Sequence, residues 1–136
     1  MTRNSTKKKV GDDYWHGRYA MARPFRTSAE TAITLASESD NMNPAISQIV
    51  LAAIAYADTL TARRDGVINQ QDHAAAPRLL RDVMGSALPQ GQEARYRRIL
   101  GYKDSSQYGA RHGTLDKAKE LFEDLSEFAF WIEAQL

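Results

Sequence analysis

The sequence predicts an all-α protein, an up-and-down bundle of about five helices. Two observations lead to this fold class. Apolar residues recur at spacings of three and four over most of the chain after residue 26, and no segment alternates like a strand followed by a hairpin turn. Residues that begin and end helices divide the same stretch into segments of helical length. With 136 residues, 43% of them hydrophobic, the chain fits one domain.

The N-terminal part differs from the rest. Residues 1–12 are polar and contain three consecutive lysines, so we expect a flexible arm whose lysines are solvated or touch nucleic acid. Residues 13–26 alternate aromatic residues with arginines, a pattern that stacks on bases or packs across a bundle; we prefer packing. The chain is therefore divided into a basic, partly flexible arm, residues 1–26, and a helical-bundle domain, residues 27–136.

The first two helices of the bundle have clear boundaries. Thr27 and Glu30 form a capping box, which predicts a first helix through about Ser39. An Asn–Pro pair begins a second helix, roughly 44–64, and Gly66 ends it. Because this second helix is apolar over most of its circumference, we expect it at the centre of the bundle.

Three further helices follow. Asp72 caps a third helix over about 73–84, and a fourth covers about 90–100. Thr114 caps a last helix that continues to Leu136. The apolar residues of this last helix lie three and four positions apart, which predicts one buried stripe formed by Leu115, Ala118, Leu121, Phe122, Leu125, Phe128, Ala129 and Ile132.

Composition and motifs exclude several functional classes. The chain has no cysteine, which excludes disulfides, thiolate metal sites and cysteine nucleophiles. It lacks a glycine-rich phosphate loop, a His–Glu metal motif and a Gly-x-Ser-x-Gly elbow, so we expect neither a metal nor a cofactor. No apolar run approaches the roughly 18 residues of a membrane span, and no signal-peptide core is present. We expect a cytoplasmic protein without a membrane partner.

Asp58 is the one charged residue in the interior of the second predicted helix. A buried carboxylate needs a cation or several hydrogen-bond donors, because otherwise its burial destabilises the fold. The candidate cations are Arg78 and Arg81 of the third helix, or Lys103. We interpret Asp58 as a structural residue that forms an ion pair with one of these partners.

A first candidate anion site involves the start of the third helix. Because this helix should run antiparallel to the second, we expect His73 near Arg63 and Arg64, across the 65–71 connection. An Arg–His group can bind phosphate and move a proton. The same residues can also close a loop without any functional role, and both interpretations stay open.

A second candidate site lies in the segment 100–114, between the last two helices. This segment carries Lys103, Tyr108, Arg111 and His112 among glycines and serines. An anion could be held between Lys103, Arg111 and the N-terminus of the last helix, with His112 or Tyr108 as proton donor. The alternative is a solvated surface loop. Basic residues in this stretch and in the N-terminal arm allow an anionic partner.

Four short motifs follow one another along the chain: Ala-Tyr-Ala-Asp-Thr-Leu-Thr-Ala-Arg at 55–63, Asp-His at 72–73, Tyr-Lys-Asp-Ser-Ser-Gln-Tyr at 102–108 and Ala-x-x-x-Phe at 118–122. A Leu–Leu pair lies further along the helix that the Asp-His pair opens. This order resembles the HEPN superfamily, small α-helical bundles common in prokaryotes. The resemblance covers about residues 28–134.

The resemblance implies a site with a degenerate motif. Many HEPN proteins are dimers that cleave RNA without a metal, with an Arg, a polar neighbour and a His four to six residues beyond the Arg. Here Lys103 matches the Arg, Asp104 the polar neighbour and Tyr108 the His. Lysine lacks the bidentate fork of arginine, and a tyrosine with a pKa near 10 is a poor general base.

The preferred interpretation is therefore a non-catalytic HEPN-like homodimer that binds RNA, a nucleotide or a protein partner through a groove lined by Lys103, Tyr108, Arg111 and His112. One alternative is a metal-independent endoribonuclease that uses the same groove, as in toxin–antitoxin systems. Another is a purely structural partner subunit, suggested by the extra aromatic residues Phe130 and Trp131 on the last helix.

Overall fold

The computed structural model describes residues 7–70 and 72–136 and confirms the all-α bundle. Within those residues, five helices have nine or more residues, and a sixth helix is a short one in the segment before the last. Two strands of three residues each complete the fold. The elements are β1 (Lys7–Lys9), α1 (Tyr14–Leu35), α2 (Asn43–Asp65), β2 (Val67–Asn69), α3 (Ala76–Met84), α4 (Gln90–Leu100), α5 (Lys103–Tyr108) and α6 (Leu115–Gln135).

The predicted start of the first helix is wrong. Helix α1 begins at Tyr14, so Thr27 lies inside it and caps nothing, and the proposed division at residue 26 falls within a helix. Pro24 also lies inside α1, where it is exposed to solvent. Tertiary contacts explain why α1 begins earlier than predicted, since side chains from its first half contact α2 and α6. The Tyr19 hydroxyl, for example, donates a hydrogen bond to Glu133 at 2.6 Å.

Part of the expected flexible arm is a strand. β1 pairs antiparallel with β2, with Lys8 opposite Ile68, and the Val10 N–H donates to the Gly66 carbonyl at 2.9 Å. The first six residues of the arm lie outside the described residues. No strand was predicted because three residues are too few to show an alternating pattern.

The prediction for the second helix is confirmed. α2 runs through the centre of the bundle, and every residue from Ala52 to Ala62 is buried. Gly66 ends the helix in the left-handed conformation, with φ of 63°, which glycine adopts without strain. α2 is also long and apolar enough to span a membrane, although 83% of its apolar window is buried inside the bundle.

Side-chain caps mark two further helix starts, those of the 3₁₀ turn before α3 and of α6. The Asp72 side chain accepts a hydrogen bond from the Ala74 N–H, and one turn of 3₁₀ helix then leads into α3. Thr114 accepts from the Lys117 N–H at 3.1 Å at the start of α6. The stripe predicted on α6 is confirmed except for Phe122, which is half-buried; the buried members are Leu115, Ala118, Leu121, Leu125, Phe128, Ala129 and Ile132.

Candidate anion-binding site

Helix α5 separates the residues that the sequence analysis placed in one groove. Lys103 lies at the start of α5 and lines a cleft on one side of it, whereas Arg111 and His112 line a different cleft. Tyr108, at the end of α5, is 80% exposed. A Cβ at Gly109 would overlap the Ser105 carbonyl oxygen, so the chain can leave α5 this tightly only with glycine there. The structure therefore divides the predicted groove in two.

The cleft lined by Arg111 and His112, which we call the Arg111 cleft, lies between the start of α2, helix α5 and the start of α6. It has a volume of about 410 Å³, within the range of small-molecule sites. Apolar surface from Ile46 and Tyr102 lines its interior. The segment from Gly109 to Thr114 forms one side, and Lys117 lies at its edge.

The titratable side chains that line the Arg111 cleft are basic, apart from Tyr102. Arg111, His112 and Lys117 line it, and no acidic side chain does so among the described residues. Lys117 donates to Glu120 at 2.7 Å and lies 5.6 Å from the centre of the Tyr102 ring. The Glu120 carboxylate and then the Tyr102 hydroxyl raise the pKa of Lys117, so its ammonium stays charged at neutral pH. The N-terminus of α6 adds the positive end of a 21-residue helix.

Hydrogen bonds to its backbone carbonyls hold the segment that carries Arg111 and His112 in place. The Asn43 side-chain amide donates to the Arg111 carbonyl at 2.8 Å, and the Met42 N–H donates to the Gly113 carbonyl at 2.9 Å. A Cβ at Gly113 would lie 2.5 Å from the Asn43 side-chain oxygen and 2.7 Å from Ile46. The exposed side chains of Arg111 and His112 are thus held on a fixed backbone, as a ligand site requires.

The second space, which we call the His73 cleft, has a volume of about 470 Å³ between the starts of α3 and α5. Its lining includes His73, Lys103, Asp72 and Asp104, together with Arg97. Burial, followed by the positive charge of Lys103, lowers the pKa of His73, although Asp72 opposes the shift. The Nδ1 atom of His73 is buried and has no hydrogen-bond partner among the described residues. A neutral imidazole thus lies beside a lysine in a mixed-charge cleft.

Arg63 and Arg64 do not join His73, contrary to the sequence prediction. They lie at the end of α2, where Arg63 donates to the Leu136 carbonyl at 3.1 Å and Arg64 to the Gln135 side chain at 3.5 Å. The reason is β2, which follows α2 at once and carries the chain back beside it before the third helix starts. His73 consequently lines a separate cleft with Lys103.

Asp58 is buried, as predicted, but its partner differs. Arg18 of α1 donates to the Asp58 carboxylate at 3.1 Å, whereas Arg81 binds Glu93 instead. The predicted partners were wrong because residues 13–26, although expected to pack across the bundle, were not predicted to be part of the first helix, which places Arg18 beside Asp58. Burial raises the pKa of Asp58 to about 6, although the charge of Arg18 and its hydrogen bond act in the opposite direction.

Comparison with protein-family models and with curated proteins finds no match for this chain. The resemblance to HEPN proteins therefore stays a prediction from the order of sequence motifs. Over residues 7–70 and 72–136, no group of three or more His, Asp or Glu side chains is placed to hold a metal ion.

Sequence reasoning missed three contributors to the Arg111 cleft. Lys117 could have been found, since it lies three positions after the Thr114 cap and so in the first turn of α6. Asn43 and Tyr102 could not, because their contribution depends on how α2 and α5 pack against the segment before α6.

Proposed function

We propose that this chain is a non-catalytic, HEPN-like helical module that binds a phosphate-bearing ligand, RNA or a nucleotide, in the Arg111 cleft. The observation that carries the proposal is the combination of Arg111, His112, Lys117 and a helix N-terminus around an apolar interior, with no acidic lining residue within the described part of the chain. Cations and helix N-terminal N–H groups stabilise a phosphate, and the Tyr102 ring offers apolar contact for a base.

The separation of the three motif residues argues against the RNA cleavage that the HEPN motif carries out in other proteins. Acid–base cleavage of a phosphodiester needs a cation and a positioned proton carrier at the same bond. The motif positions Lys103 and Asp104 line the His73 cleft, whereas Tyr108 is exposed and His112 lines the Arg111 cleft. The degenerate motif thus does not bring its own cation and proton carrier into one cleft.

One observation favours a second candidate, a metal-independent ribonuclease centred on the His73 cleft. His73 and Lys103 line the same space, and the lowered pKa keeps His73 in the neutral form that accepts protons. Lys103 would then stabilise the negative charge of the phosphate in the transition state. This candidate differs from the ribonuclease predicted from the sequence, which used Tyr108 or His112.

Homodimer formation, which the HEPN resemblance implies, belongs to the same proposal. Phe130 on α6 is 74% exposed and lies next to the half-buried Trp131, so this face offers aromatic surface for a protein contact. Light scattering of the purified chain gives the oligomeric state. A chain that forms a complex but binds no nucleotide would instead agree with the purely structural partner subunit.

Calorimetric titration with uridine 5′-monophosphate tests the binding proposal. We expect measurable binding at low salt, weakened about tenfold by the double substitution Arg111→Ala and Lys117→Ala, because two charge-assisted contacts are lost. Lys119→Ala is the matched control, since Lys119 is an exposed lysine of α6 that does not line the cleft. Equal affinity in the double variant and the control would contradict the proposed site.

Incubation with RNA in EDTA separates the two candidates. The binding module leaves the RNA intact. Cleavage that His73→Ala abolishes, while the Arg111→Ala and Lys117→Ala double variant retains it, would replace the binding proposal with the ribonuclease. His112→Ala is the control for this assay, because His112 lies outside the His73 cleft.

A further inference from the structure

A third cleft lies between β1, the start of α1 and the end of α2, and we call it the Lys9 cleft. Its volume is about 570 Å³, and its lining includes Lys9, Trp15, Arg63, Arg64 and Val67. None of these residues lines the Arg111 cleft. The cleft therefore combines three cations and an indole ring at a place that the proposed function does not use.

The strand pairing determines which lysine faces the cleft. Residues directly opposite each other on antiparallel strands point to the same side of the sheet, and successive residues alternate. Lys9 is opposite Val67, and both line the cleft, whereas Lys8 is opposite Ile68 and belongs to the other face. Two neighbouring exposed lysines of one strand thus differ in a single respect, the side to which they point.

Planar side chains gather at the edge of the cleft. The Arg63 guanidinium lies 4.8 Å from the centre of the Trp15 ring, and the His16 ring stacks on Trp15 with centroids 3.8 Å apart. Trp15 is half-buried and His16 is exposed. A further planar group, such as a nucleobase, can extend such a cluster without sequence-specific hydrogen bonds.

Two carboxylates, Asp12 and Asp65, also line the Lys9 cleft. The three lining cations exceed them in number, and Lys7 lies on the same side of the strand as Lys9. Exposed lysines on an edge strand also have a purely protective use, because they discourage pairing with strands of other molecules. That use requires neither the arginines of α2 nor the aromatic cluster beside the strand.

We infer that the Lys9 cleft binds single-stranded nucleic acid, with backbone phosphates on Lys9 and Arg64 and a base stacked on the Trp15–His16 ring pair. Basic side chains that follow the backbone, beside aromatic rings that accept any base, are the recurrent arrangement of sequence-independent single-strand binding. The inference is independent of the proposed function, because the two clefts use different residues.

Tryptophan fluorescence tests the inference at the site itself. The chain has two tryptophans, so Trp131→Phe leaves Trp15 as the one indole. We expect a 12-nucleotide oligouridylate, titrated into this variant at 50 mM salt, to quench Trp15 in a saturable manner. In the same background, Lys9→Ala should weaken binding about threefold. It should also lower the slope of log binding constant against log salt concentration by about 0.7, the value for one lost phosphate contact on a single strand.

Lys8→Ala in the same background is the matched control, because it removes the same charge from the same strand on the other face. Equal losses in the Lys8 and Lys9 variants would overturn the inference and leave the lysines as edge protection. The absence of quenching would overturn it too, as would a response to anionic phospholipid vesicles without one to the oligonucleotide. Quenching that the Arg111→Ala and Lys117→Ala double variant abolishes would assign the binding to the Arg111 cleft instead.

Discussion

Asp58 and Glu93 are two carboxylates with the same exposed fraction, 7%, yet the protein shifts their pKa values in opposite directions. Burial raises the pKa of Asp58 to about 6. Burial acts in the same direction on Glu93, but hydrogen bonds from Arg81 and Arg97 outweigh it and lower the pKa. Exposure of the carboxylate alone therefore does not predict its charge state; the number and surroundings of its partners must be known as well.

The surroundings of the two ion pairs explain the difference. Asp58, on α2, pairs with Arg18 of α1, whose side chain is 25% exposed, and it also accepts a backbone hydrogen bond from Asn69 of β2. The hydroxyl of Tyr96 near it is buried and has no hydrogen-bond partner among the described residues, and burial followed by the charge of Asp58 raises the pKa of Tyr96. Glu93 has two arginines whose side chains are 61% and 53% exposed, so their charges remain hydrated while they neutralise it.

The largest expected effect comes from removing Arg18, the cation that pairs with Asp58. Arg18→Gln should lower the free energy of unfolding by about 3 kcal/mol at pH 8, because it leaves an ionised, buried carboxylate with the backbone hydrogen bond from Asn69 but without its cation. At pH 4.5 the loss should be much smaller, since Asp58, with a pKa of about 6, is already mostly protonated there. Urea denaturation at the two pH values measures the difference, and equal losses at both would contradict it.

Asp58→Asn should have a smaller effect, of opposite sign. The pKa of Asp58 rises from 3.8 to about 6 on folding, so the folded state binds the proton more tightly than the unfolded state. The stabilisation from this titration is present below pH 4 and is lost as the pH rises through 6. The shift in pKa alone corresponds to roughly 3 kcal/mol at pH 8, but the substitution also removes the anionic partner of Arg18. At pH 8 the asparagine variant should therefore be more stable than the original chain by about 2 kcal/mol, with no gain near pH 4.

The same unfolding titrations check this second expectation. Thr59→Ser, at the next buried position of α2, serves as a control for conservative change without a titrating group. A gain of stability at pH 8 in the asparagine variant alone assigns the effect to the buried charge. If the asparagine variant is instead less stable than the original chain at pH 8, the ion pair with Arg18 outweighs the burial of Asp58.

The contrast between the two carboxylates also shows how far sequence reasoning extends. The helix boundaries at Gly66, Asp72 and Thr114 were predictable because caps act on neighbouring residues. One partner of Glu93 is four positions away on the same helix, a spacing that a sequence can reveal. The partner of Asp58 is 40 positions away on a helix half that was not predicted, and nothing local to either residue identifies the other.

The candidate site follows the same rule. Arg111, His112 and the start of the last helix were predicted together and do line one cleft, since they are consecutive in the chain. Lys103 was assigned to the same cleft and lines another, because α5 forms in a stretch expected to be a loop. Successive residues of a helix point about 100° apart, so residues of the same linker need not line the same cleft once a short helix forms there.

Glu93→Gln gives the smallest expected effect and has the reverse pH dependence of Asp58. Because folding lowers the pKa of Glu93, its stabilisation is present above its ordinary pKa of 4.5 and is lost as the pH falls through the lower folded value. We expect the glutamine variant to lose about 1 kcal/mol at pH 7, since both arginines stay hydrated, and nothing measurable near pH 3. Arg81→Gln is the control: Arg97 still neutralises Glu93 there, so the loss at pH 7 should be smaller. If Glu93→Gln lost as much unfolding free energy as Arg18→Gln, the second arginine at Glu93 and the exposure of both arginines would not explain the difference between the two carboxylates.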